Sequence, residues 1–205
     1  MKKLMISVII AFVFTSIWGY CGQVQGELNN NLIRLHIIAN SNSDIDQRIK
    51  LKIRDEILKT EGQKLISNSN LICEKTVKDR LFEIEETANN ILKENGFLYN
   101  AYAEYGRFDF PKKQYKNMVL PCGKYYGVRI VLGEGKGENW WCVLYPPLCM
   151  IDENEAVLGS EAQKILRENL SEEAYDVITE NNGKIKVKFY LLEMAGKLKK
   201  IIGDV

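Results

Sequence analysis

The chain has 205 residues, with 28 Lys or Arg, 27 Asp or Glu and a formal net charge of +1 when its one histidine is neutral. That balance offers no electrostatic grip on nucleic acid or on an anionic membrane surface. One histidine cannot build a His-based metal centre such as HExxH, and neither a P-loop nor a GxSxG nucleophile elbow is present.

Lys2 and Lys3 precede an apolar run over residues 4–18, LMISVIIAFVFTSIW. Lysines ahead of such a run hold that end in the cytoplasm while the translocase takes the apolar part. The run is shorter than the roughly 20 residues that span a bilayer comfortably, which favours a cleaved signal peptide over an uncleaved anchor. The small-residue rule places cleavage after Gly26 or after Cys21. Cys21 makes a poor lipoprotein site, because Tyr20 stands where processing wants a small residue. A buried core helix is the structural alternative. It fits poorly, since the run has no polar face and ends in Gly and Gln. Residues 1–26 are therefore read as a signal peptide or N-terminal membrane anchor. Residues 27–205 form a single extracytoplasmic domain, long enough to bury a sizeable core.

Residues 32–39 are apolar at nearly every position and read as a central strand. Asn40-Ser41-Asn42 turns the chain, and Ser43 is placed to cap a helix with Asp44 and Asp46 in its first turn. Ile45, Ile49, Ile53 and Ile57 make its apolar stripe, with Leu58 beside the last. A second helix is predicted over 71–95, with Val77, Leu81, Ile84, Ala88, Ile91 and Leu92 inward and Asn95-Gly96 ending it. The period then changes. Residues 98–110, 125–132 and 140–145 read as strands, and GEGKG at 133–137 as the hairpin connection between the last two. Helices are predicted at 160–169 and 171–179, a strand at 184–190, and a short terminal helix from 191. The class is α+β: a mixed or antiparallel sheet with amphipathic helices packed on it, in a single layered domain.

Little in this chain looks catalytic. A thiolate nucleophile needs a neighbouring base, and His36 is the one imidazole, so Cys142 with His36 is the pair to weigh. The structural alternatives are stronger: His36 as a core histidine, Cys142 as buried or bridged. Without its leader the chain keeps Cys73, Cys122, Cys142 and Cys149, which allow three pairings. Cys142 and Cys149 flank VLYPPL, where Pro146-Pro147 cannot continue a strand interior, so these two thiols are expected to come within bonding reach. Two buried thiols are the alternative. Trp140 and Trp141 are adjacent on a strand and must face opposite sides of the sheet. One can enter the core while the other is displayed to a partner, or both can be covered. No cofactor is expected.

Three segments carry a family resemblance: IRLHIIANSNSDIDQRIKLKIRDEIL at 33–58, FPKKQY at 110–115 and YYGVRIVLGEGKGENWWCVLYPPLCMID at 125–152. Together they resemble stage II sporulation protein R of endospore-forming bacteria, over residues 32–152 and more loosely beyond. The resemblance implies a protein exported from the forespore into the space between the two septal membranes. It implies a partner there, a membrane-embedded aspartic protease that removes the pro-sequence of a mother-cell sigma factor. On that reading the chain is an intercellular signal and not an enzyme. The competing reading is a hydrolase acting on septal cell wall through Cys142 and His36.

Overall fold

The computed structural model describes residues 2–62, 74–115, 117–146, 148 and 160–179. Its elements in chain order are α1 (Lys2–Asn31), β1 (Ile33–Ile38), α2 (Asp44–Ile57), a π-helical turn (Leu58–Gly62), α3 (Glu74–Asp79), α4 (Leu81–Glu94), β2 (Ala101–Phe110), β3 (Lys113–Tyr115), β4 (Met118–Leu120), β5 (Gly123–Leu132), β6 (Asn139–Tyr145), α5 (Ser160–Asn169) and α6 (Glu172–Ile178). The α+β expectation is met by a four-stranded mixed sheet in the order β2-β5-β1-β6 and a small β3-β4 ribbon. The strand expected at 184–190 and the helix from 191 lie outside the described residues, as do Cys73 and Cys149.

One expectation needs correction. β5 and β6 do not form a hairpin: β1 lies between them, parallel to β5 and antiparallel to β6. The glycine-rich connection therefore arches over the end of β1. The amides of Gly137 and Lys136 donate to the carbonyls of Ala39 (2.8 Å) and Asn40 (3.1 Å), which fastens the arch to the β1–α2 turn. The approach is too close for side chains. A Cβ on Gly137 would collide with the Ser41 carbonyl, and one on Gly133, at φ +55°, with the Asn40 amide.

The sheet has a core on each side, set by strand alternation. Ile33, Leu35 and Ile37 point to the side covered by α2 and α4, where Ile49, Ile53, Ile57, Ile84 and Leu92 meet them. Ile45 stays exposed, because the inward stripe of α2 begins one turn later. Ser43 caps α2 as expected, its Oγ accepting from the Asp46 amide at 3.2 Å. The Asp46 carboxylate gathers Ser41 Oγ at 2.6 Å, Tyr99 OH at 2.5 Å and Asn40 Nδ2 at 2.9 Å. Burial works against its ionisation, but these hydrogen bonds outweigh it and hold its pKa below the usual carboxylate value. The predicted helix over 71–95 is broken at Arg80, between α3 and α4, where the Arg80 side chain forks onto buried Glu61 of the π-helical turn.

The opposite side of the sheet is covered in part by α1, α5 and α6 around Phe110, Tyr125, Val143, Leu166 and Tyr175. Here the N-terminal segment departs from expectation. The helix does not stop at Gly22-Gln23 but runs unbroken to Asn31. It is long and apolar enough to cross a membrane, with a first half that lies outside the fold. Its second half buries Cys21, Val24 and Leu28 in the core of the domain.

Candidate functional site: the row from Glu104 to Trp141

Register places Glu104 of β2 opposite Arg129 of β5, Arg129 opposite His36 of β1, and His36 opposite Trp141 of β6. Directly opposed residues share a face, so these four side chains cross the whole sheet in one row. Arg129 donates through Nε to Glu104 Oε1 at 2.7 Å and lies 4.3 Å over the Phe108 ring. The His36 ring stacks on the Trp141 indole at a centroid separation of 3.6 Å and an angle of 17°. Phe110 closes the cluster edge-on to Trp141 at 5.2 Å.

His36 is 5% exposed. Its Nε2 lies 2.7 Å from Asn139 Oδ1, an acceptor that makes Nε2 the protonated nitrogen, while buried Nδ1 has no hydrogen-bond partner. Burial lowers its pKa to about 4; the Asn139 bond opposes that shift and the Arg129 charge adds to it. The imidazole is therefore neutral at pH 7 and acts as an aromatic plate under Trp141.

Below this row lies Arg34, fully buried. Its Nε donates to the Cys142 carbonyl at 2.9 Å and its Nη2 to Tyr115 OH at 3.4 Å, while the guanidinium faces the Phe110 ring at 4.5 Å and the Tyr125 ring at 5.0 Å. Burial pushes the Tyr125 phenol up to about 12, against the pull of the Arg34 charge. Both ring walls and both phenols are therefore neutral hosts for the cation.

The sequence-derived candidates separate by face. Trp140 and Cys142 belong to the α2–α4 side, where Cys142 is buried in the core and Trp140 lies half-buried beneath the Arg54 guanidinium at 4.3 Å. Trp141 and His36 belong to the other side. The sheet thus stands between the Cys142 and His36 side chains, and the structure does not bring them together as nucleophile and base. Cys149 lies outside the described residues. β6 does end at Tyr145, with Pro146 in a turn, where the two prolines were expected to break the strand. Neither tryptophan is fully core or fully displayed; both are half-buried.

Arg34, Arg129 and Glu104 are not among the sequence-derived candidates, although the sequence carries a signal for Arg34. Within β1 the odd positions are Ile33, Leu35 and Ile37, and the even positions include Arg34 and His36. Reading the strand as uniformly apolar hid that alternation. Among the described residues no element covers the outer half of this face: Tyr102 is 60% exposed, Asn139 is exposed, and Ile38 and Val131 are half-buried. Among the described residues no group of three or more His, Cys, Asp and Glu could hold a metal ion.

A family model described as stage II sporulation protein R matches residues 29–155. A stage II sporulation protein R from Bacillus subtilis (strain 168) is 36% identical over 181 residues, which cover 81% of this chain and 80% of the relative. No solved structure matches the chain.

Proposed function

The chain belongs to the stage II sporulation protein R family, and from that premise we propose that it is an exported intercellular signal whose activity is binding. Its target would be the external surface of a membrane-embedded aspartic protease in the sporulation septum. Activation of that protease leads to processing of a mother-cell pro-sigma factor, with the catalytic aspartates supplied by the partner. The observation that carries the reading is the outer half of the sheet face, which no element among the described residues covers. The same face carries Trp141, stacked on neutral His36, at the β6 edge, and the Arg129–Glu104 pair and exposed Tyr102 towards the β2 edge. A half-buried aromatic held by a stacked neighbour, on a face that also carries a paired charge and an exposed tyrosine, suits a binding surface. The N-terminal apolar helix supports export.

The test is reconstitution of the full chain with the protease and the sigma-factor precursor in a non-sporulating host. Precursor processing that depends on this chain, and survives Cys142→Ser in a folded variant, supports the signal. Release of peptidoglycan fragments by the purified chain, lost with Cys142→Ser, would establish the septal hydrolase instead.

A further inference from the structure

The N-terminal helix has two halves with opposite environments, and the boundary between them is sharp. From residue 5 to residue 16 every side chain is exposed, among them Met5, Ile9, Ile10, Phe12 and Phe14. From Cys21 onward the same helix is built into the domain, with Cys21, Val24 and Leu28 in the second core. Polar contacts fasten it as well. The Glu27 carboxylate accepts from Ser171 Oγ at 2.8 Å and from the Ser171 amide, at the cap of α6. Only Leu32 separates the helix from the central strand β1.

We propose that α1 is retained in the mature protein, with its first half spanning the lipid bilayer and its second half a structural element of the external domain. Both cleavage positions suggested by small residues, after Cys21 and after Gly26, lie inside the continuous helix. Processing after Gly26 would strip Cys21 and Val24 from the core. The occupant of the exposed half is hydrocarbon. The apolar run 4–18 rises roughly 22 Å as a helix, short of a hydrocarbon core of roughly 30 Å, a mismatch met by local thinning of the bilayer and by Lys2 and Lys3 reaching to its surface. Lys2 and Lys3 mark the cytoplasmic end. Half-buried Trp18 and Tyr20 mark the other, where aromatic side chains favour the membrane–water boundary. No linker intervenes, so the domain is seated directly on the membrane. This inference concerns the leader alone and does not rest on the proposed protease.

The test begins with intact-mass measurement of the chain exported by a Gram-positive host, together with alkaline extraction of its membranes. The expected result is the full chain from Met1, resistant to extraction. A chain beginning at Gly22 or Glu27, or a full chain released by alkali, overturns the proposal. The structural half is tested on the detergent-solubilised full chain. Val24→Asp is expected to lower the melting temperature by roughly 10 °C, and Ile10→Ala, in the exposed half, to leave it unchanged. An unaltered melt for Val24→Asp overturns the role of the second half in the core.

Discussion

The imidazole of His36 and the indole of Trp141 lie face to face at 3.6 Å, one from the central strand and one from its edge neighbour. A neutral ring fits that stack; an imidazolium would be a buried cation beside the Arg129 charge.

Acid should therefore weaken the fold in a defined window. Burial holds the folded pKa of His36 at about 4, below the ordinary histidine value of 6.5, so between those values the unfolded chain binds the proton and the native chain does not. Stability is complete above pH 6.5 and falls as pH drops towards 4, by on the order of 2 kcal/mol after allowance for solvent screening. The depressed Asp46 carboxylate acts lower: its contribution is present above the ordinary Asp value and is lost as pH falls through its own folded pKa. Urea melts at pH 7.0 and 4.5 measure the first loss, and His36→Phe should flatten it. An equal slope in that variant would place the proton elsewhere.

Tyr102 offers the cleanest probe of the outer face. Tyr102→Ala should change stability by no more than about 0.5 kcal/mol while reducing precursor processing in the reconstituted system. Unimpaired processing would remove this face from the proposed interface.

Trp140 should behave otherwise. It packs on the α2–α4 core under Arg54, and Trp140→Ala is expected to cost about 2 kcal/mol or more. Any loss of signalling should follow the loss of folded protein. Thermal melts of the Trp140→Ala and Trp141→Ala variants, normalised to processing per folded molecule, separate the two roles.

The arch over β1 makes a further demand. Gly133→Ala combines a positive φ with a collision on Asn40, and Gly137→Ala a collision on the Ser41 carbonyl. Each should destabilise by roughly 1–3 kcal/mol, and each should loosen the turn that leads into α2. Hydrogen exchange at the Gly137 and Lys136 amides reports that loosening directly.

The cysteines beside the proline turn carry a proposal of their own. Cys142 and Cys149 are expected to bridge once exported, with a short-loop gain of about 2–3 kcal/mol. Non-reducing peptide mapping decides it, and a Cys142 peptide recovered alkylated without reduction would refute the bridge.

Where residues contact their near neighbours in sequence, the fold was readable. Ser43, the Ile49–Ile53–Ile57 stripe and the Asn95-Gly96 stop all act within one or two turns, and α2 and α4 lie where those signals put them. The placement of β1 between β5 and β6 was not readable, because a glycine-rich connection of six residues serves a hairpin and an arch equally well. The row at the candidate site was half legible. Trp140 and Trp141 announce opposite faces by adjacency alone, but Arg129 and Glu104 become neighbours of His36 only through pairings between distant strands. The second half of α1 was misjudged for a related reason. Its glycines suggest an end to the helix, and the residues it packs against, in β5 and α6, lie far along the sequence.

The position of β1 also bears on how such a chain crosses a membrane. On the proposed export route it is the first of the described strands to emerge and the last of them to be completed, since Arg34 meets the Cys142 carbonyl across 108 residues of sequence. Until β5 and β6 follow, β1 has neither neighbour, and its apolar side has no sheet to join. Long-range pairing of this kind slows folding. On that proposed route the delay has a use: a polypeptide that cannot close this sheet early stays threadable until β6, which ends at Tyr145, has followed.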